Sequence, residues 1–296
     1  NALNVRPDEI EFLGEVDLGF QLGIAGLLKP ESKLYYSKID RQKVYAVAAN
    51  EQNLGRSTTC LSVNGDGEIA DFTCDTNDVI CWQVANGESG NLQKVLKNQA
   101  LTFADCTASG VDHLPQFDYQ TALFDSSSWQ GPAGFGVLVI RSAEKWRNPL
   151  PHDDLSRTPG TFSIPLALAS SVALENYLKE GDIRSKLKQE ILAFIKSEIT
   201  DVDIASTADG LAKFISFSIK GIEADRALLA LEELGFAVDS GSACKSADMQ
   251  PSHVLAAMGR PVAGNIRLTI HKDITEKMVK DFCQALKSTV TSLRKN

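Results

Sequence analysis

Cys244 stands in a run of small and polar residues, Asp239-Ser240-Gly241-Ser242-Ala243-Cys244-Lys245-Ser246-Ala247-Asp248. A thiol with such neighbours can move and meet solvent, which suits nucleophilic or sulfur-carrying chemistry. The plainer alternative is a buried thiol in a turn, since free cysteines are among the most buried residues. His253 follows and could in principle act as its base, but no third orienting group can be named, so an exposed or capping histidine is the better reading. Ser126-Ser127-Ser128 offers hydroxyls without the Gly-x-Ser-x-Gly elbow of a hydrolase, and reads as a polar turn at a strand end. Asp105 closes the apolar run Leu101–Ala104, where a carboxylate is commonplace by itself. The six cysteines and four histidines share no zinc-ligand spacing, so no metal site is expected. Gly131-Pro132-Ala133-Gly134-Phe135-Gly136 lacks the strand-then-helix context of a nucleotide-binding loop.

These residues need a scaffold, and the 296-residue chain is long enough to supply one. Apolar residues make up 43%, which excludes a disordered chain. A net charge of −8 argues against nucleic acid or an anionic membrane surface as partner. No apolar run reaches the roughly 18–20 residues of a membrane span, and unpatterned cysteines fit a cytoplasmic protein that keeps its thiols. Short apolar runs at 79–84, 100–104, 121–124 and 136–140 alternate with helical segments, which predicts a mostly parallel sheet covered on both faces. Long helices are expected over 164–178 and 183–199. From about residue 200 the rhythm changes. Phe214–Ile219 and Asn265–Ile270 alternate as half-buried strands do, and helices are expected over 223–234 and 275–293. The expected organisation is therefore a large α/β domain over 1–199 and a smaller α+β domain with the cysteine loop over 200–296.

Several motifs in the right order resemble the cysteine desulfurases, within the class V branch of pyridoxal-phosphate (PLP) enzymes. The family's Ser-Ser-Gly-Ser-Ala-Cys-x-Ser-Ala loop is similar to the run around Cys244. Pro7-Asp8-Glu9-Ile10-Glu11-Phe12 resembles Pro-x-Glu-Ile-x-Phe, and Asn86-Gly87-Glu88-Ser89-Gly90-Asn91-Leu92-Gln93 resembles Asn-Asn-Glu-x-Gly-x-x-Gln. Gly131–Leu138 is similar to Gly-Pro-x-Gly-x-Gly-x-Leu, Arg157–Thr161 to Arg-x-Gly-Thr with one insertion, and Asn265-Ile266-Arg267-Leu268 to the strand whose arginine binds the substrate carboxylate. The resemblance covers nearly the whole chain. It implies a PLP-transferase fold of type I, PLP as cofactor, an amino-acid ligand, and a dimer whose sites draw on both subunits. It also implies that about 60 residues of a full member precede Asn1, by rough comparison of lengths.

Position by position, the resemblance assigns Cys244 the persulfide, Arg267 the substrate carboxylate, Asp105 the pyridinium nitrogen, and Asn86 a place beside the cofactor. Other positions depart from the pattern. The Schiff-base lysine of Ser-x-His-Lys-x-x-Gly-Pro falls on Ser128, and there is no lysine between Lys97 and Lys145. The phosphate-binding Gly-x-Thr-Glu becomes Glu15-Val16-Asp17-Leu18, whose carboxylates suit an empty helix N-terminus better than a phosphate. Arg41 takes the stacking histidine's place, and Ala108 that of a glutamine. Four losses serving one ligand put PLP binding in question. The sequence thus leaves open whether the chain is an enzyme. It favours a non-catalytic or partner subunit, as a homodimer or beside an active homologue. The alternative is an active desulfurase or related class V transferase moving sulfur from L-cysteine to Cys244.

Overall fold

The computed structural model describes residues 2–97, 99–151, 157–241 and 251–295. The chain divides into two compact units. The first holds residues 1–62, 69–86 and 93–179; the second holds 63–68, 87–92 and 180–296.

The first unit is built on a seven-stranded sheet. Its strands are β1 (Ile10–Leu13), β2 (Leu34–Ser37), β3 (Thr58–Leu61), β4 (Val79–Gln83), β5 (Leu101–Asp105), β6 (Thr121–Asp125) and β7 (Gly136–Ile140), in the order β1-β7-β6-β5-β4-β2-β3. The pairings from β6 through β5, β4 and β2 to β3 are parallel, while β7 runs antiparallel to both β6 and β1. Strands β4, β5 and β7 are buried at every position, as expected of continuous apolar runs covered on both faces. Helix α1 (Val16–Ala25) lies on one face, with Phe20, Leu22 and Ile24 in a core shared with Val79, Phe103, Leu123 and Leu138. Helix α2 (Gln42–Asn53) adds Val44, Val47 and Ala48 to that core. Helix α3 (Ile164–Lys179) places Tyr177 in a separate cluster with Phe124, Trp129 and Val139.

Helix α1 begins and ends earlier than the 18–28 segment its apolar residues suggest. The Glu15 side chain accepts the Asp17 amide and starts the helix at Val16. Its last turn closes at Gly26, where a Cβ would collide with the Trp146 indole. All three tryptophans, Trp82, Trp129 and Trp146, are core residues.

The second unit contains α4 (Arg184–Glu198), β8 (Val202–Ile204), β9 (Phe214–Ile219), α5 (Ala224–Glu233), α6 (His253–Ala257), β10 (Asn265–Thr269) and α7 (Glu276–Leu293). Its three strands form an antiparallel sheet, β10-β9-β8. Ile215, Phe217, Ile219 and Ile266 meet Leu187, Ile191 and Ile195 of α4, Leu231 of α5, and Phe282 and Leu286 of α7 in one core. Helix α4, assigned to the first region in the sequence reading, packs here because its apolar stripe faces β9 and α7 rather than the larger sheet. Among the described residues no helix is long and apolar enough to cross a membrane.

Candidate functional site

In open α/β sheets, ligand sites form at the carboxyl ends of parallel strands. Here those ends carry Asp105 (β5), the 37–41 turn (after β2), Asn86 (after β4) and the Asp125–Trp129 turn (after β6). Asp105 is buried. Its Oδ1 accepts the Thr107 amide at 2.9 Å and the Thr107 hydroxyl at 2.5 Å, which fixes the carboxylate. Its Oδ2 accepts no hydrogen bond from the described residues and faces the Arg41 guanidinium, with Nε at 3.6 Å. Arg41 precedes the first residue of α2, and its side chain is half-exposed.

The turn that delivers Arg41 is closed by its neighbour. The Ser37 amide donates to Asp40 Oδ2 at 2.7 Å, and the Asp40 amide donates to the Ser37 carbonyl at 3.2 Å, so the Asp40 side chain folds inward. Asp40 is 1% exposed. Burial, with a smaller push from the Asp105 charge and against the Ser37 bond, lifts its pKa to about 7. Such a carboxyl can exchange a proton near neutral pH. Asn86 joins this cluster: its Nδ2 donates to the Ile39 carbonyl at 3.2 Å and to Gln83 Oε1 at 2.9 Å.

Ser128 lies in the 3-10 turn Ser126–Trp129 that follows β6. Its hydroxyl donates to the Asp125 carbonyl at 2.6 Å and packs over Gly110, where an added Cβ would run into it. The neighbouring Ser126 is buried and donates to Ser170 on α3 at 2.8 Å, which anchors the turn. At the N-terminus of α1, the Glu15 carboxylate accepts the Asp17 amide at 3.2 Å, and Asp17 pairs with Lys43 of α2 at 2.7 Å. Burial pushes the thiols of Cys81 and Cys106 well up, so both are inert as nucleophiles.

Arg267 is in the second unit, on β10. Its guanidinium forms an ion pair with Asp239, and their backbones pair in both directions, the Asp239 amide to the Arg267 carbonyl at 3.1 Å and the Arg267 amide to the Asp239 carbonyl at 2.6 Å. Glu88 is close enough for the Arg267 charge to act on its carboxyl. Burial raises the Glu88 pKa, and a Ser252 bond, Arg267 and His253 offset part of that rise. His253 opens α6, capped by the Ser252 side chain. Cys244 lies outside the described residues. Among the described residues no group of three potential metal ligands occurs.

The first unit thus joins Arg41, Asp105 and Asn86 in one cluster and puts Ser128 at the end of a neighbouring strand. The sequence reading missed Asp40, Asp239 and Glu88. Each had a signal: Asp40 adjoins Arg41, Glu88 lies inside the Asn86 motif, and Asp239 stands where the quoted cysteine loop begins with serine.

Residues 90–282 match the family model described as aminotransferase class-V. The chain belongs to the class-V aminotransferase family. Among relatives, it is similar to the cysteine desulfurase of Trichormus azollae, 28% identical across 90% of this chain and 74% of that protein. It is also similar to the cysteine desulfurase IscS of Clostridium botulinum, 26% identical across 99% of this chain and 82% of the relative. Two solved structures superpose well. A NifS-like protein gives a TM-score of 0.82 at 20% identity, over 98% of this chain and 85% of that one. The apo cysteine desulfurase of Thermococcus onnurineus gives 0.81 at 16%, over 98% and 81%. The class-V chain therefore has the PLP-transferase fold of type I, and PLP dependence is the family's expectation for it.

Proposed function

We propose that this class-V chain does not carry out PLP chemistry alone and serves as a non-catalytic or partner subunit, paired with itself or with an active homologue. The observation that carries the reading is the Arg41–Asp105 pair. In the family pattern a buried aspartate meets the cationic ring nitrogen of PLP, and here the chain itself supplies the cation, at 3.6 Å.

The other ligand-facing positions agree. The N-terminus of α1, where amide groups would hold a phosphate dianion, carries Glu15 as its cap and Asp17 in its first turn. Ser128, aligned with the Schiff-base lysine, has a hydroxyl spent on the Asp125 carbonyl and no amine to offer. We read these residues as not fitting PLP.

One observation favours a second reading. The relatives given above are named cysteine desulfurases, and Asp105 and Arg267 are both kept. Under that reading a partner subunit supplies the lysine, and Cys244 receives the sulfur. Purifying the full chain after PLP supplementation and recording its visible absorbance separates the two. The expected result is no bound chromophore. A lysine-linked PLP band that borohydride bleaches would overturn the first reading. Cysteine-dependent sulfide release that appears only on mixing with an active homologue supports the partner-subunit form.

A further inference from the structure

Arg267 and Asp239 sit on adjacent backbone segments, joined by the two amide–carbonyl bonds given above. The Asp239 carboxylate has its oxygens divided. Oδ1 accepts the Ser240 amide at 2.7 Å, and Oδ2 pairs with one terminal nitrogen of Arg267. The Arg267 Nε is buried and has no hydrogen-bond partner among the described residues. A guanidinium engages a carboxylate most strongly side-on, through two parallel N–H donors that meet both oxygens. Asp239 cannot do this, because its other oxygen is held by the backbone. It therefore occupies Arg267 with one oxygen and leaves a second donor unused. Both side chains keep partial exposure, 21% for Arg267 and 38% for Asp239. Glu88 is a further carboxyl nearby, whose pKa burial raises against the opposing pull of the Ser252 bond and the Arg267 charge.

We propose that Asp239 is a built-in competitor at Arg267, an internal carboxylate that keeps the guanidinium from small free carboxylates such as α-amino acids. The sequence carries the same message. Where the quoted family loop reads Ser-Ser-Gly-Ser-Ala-Cys, this chain reads Asp239-Ser240-Gly241-Ser242-Ala243-Cys244, so one serine hydroxyl is exchanged for a charge next to the arginine. A ligand that needs a guanidinium held by another group binds more weakly by the fraction of time the guanidinium is free. Removing the Asp239 charge returns that fraction toward one. This inference does not depend on the absence of PLP chemistry, because it concerns carboxylate binding by the PLP-free chain.

The test compares the full chain with Asp239→Asn, which keeps the size and the acceptor for the Ser240 amide, and with Asp239→Ser as a second variant. L-alanine and acetate are the probes, titrated while the Nε–Hε resonance of Arg267 is followed by NMR. The resonance is assigned by its loss in Arg267→Lys. Both variants are expected to bind at least one probe about tenfold tighter than the parent, with a saturable shift of that resonance. The shift should vanish when Arg267→Lys is combined with Asp239→Asn. A response to L-alanine alone identifies an amino-acid site, and a response to both identifies a general carboxylate site; either supports the proposal. Equal binding by parent and variants, or no binding by any of them, overturns it. Failure here leaves the PLP spectrum unaffected, so the two readings fail separately.

Discussion

Replacing Asp40 by Asn should alter how the stability of the protein depends on pH. Asp40 has its folded-state pKa raised from 3.8 to about 7, chiefly because the fold buries it. The folded state therefore holds a proton more tightly than the unfolded chain does. The linkage then has a definite sign: the stability present below about pH 4 is lost progressively as pH rises through about 7. From the two pKa values, moving from about pH 5 to about pH 8 costs the parent roughly 2.5 kcal/mol through this group alone. Asparagine can still accept the Ser37 amide, which Asp40 holds at 2.7 Å, and has no charge to desolvate. The difference in unfolding free energy between Asp40→Asn and the parent should therefore become more favourable to the variant by about that amount over the same interval. Urea denaturation of both proteins at the two pH values measures it directly, with unchanged m-values as the check on a shared unfolding reaction. A constant difference at both pH values would refute the reasoning. It would mean that Asp40 ionises in the fold much as it does in the unfolded chain, with water or Arg41 compensating its burial.

Two further substitutions probe the two cores. Gly23→Ala puts a Cβ at 2.5 Å from the Phe103 ring, between α1 and the sheet, and should cost about 1–3 kcal/mol by overpacking, read from urea midpoints. Leu231→Ala, at a fully buried position on α5, should lose about 2–5 kcal/mol in the same assay.

Much of the scaffold was legible because burial on both faces writes a simple pattern. Val79–Gln83, Leu101–Asp105 and Gly136–Ile140 are uninterrupted apolar strands, and the helices over 164–179, 184–198 and 276–293 lie within a residue or two of where their spacing puts them. Helix α1 was shifted because its start depends on a side-chain cap and its end on the Trp146 indole, and hydrophobic spacing reports neither. The site was legible only as residue types at motif positions. Asp105 and Arg41 could be named, but an ion pair between residues on different elements is a property of the folded chain. Asp40, beside a half-exposed arginine, reads as a surface residue until the Ser37 turn folds it inward. Asp239 was hidden differently: in a loop rich in Ser and Gly, an aspartate looks like ordinary turn chemistry. Its partner Arg267 is far away in sequence and adjacent only through the β10 backbone bridge.

The division of the chain has a consequence for anyone who would cut it. The second unit is assembled from three pieces, and the short ones, 63–68 and 87–92, are encoded inside the first. They are structural members and not trimming. Asn91 donates to the Asp66 and Ala205 carbonyls, both at 2.9 Å, the Ser206 hydroxyl reaches the Ser89 carbonyl, and Arg260 clasps Asp66 at 3.0 Å and Asp203 at 3.2 Å. A fragment beginning at Glu180 would keep the Arg260–Asp203 pair but leave Ala205, Ser206 and Arg260 without Asn91, Ser89 and Asp66, so the C-terminal portion is not a transplantable cassette. The same interleaving means that recombination between homologues conserves this unit only when its crossover points spare both insertions, or exchange them together with the C-terminal piece.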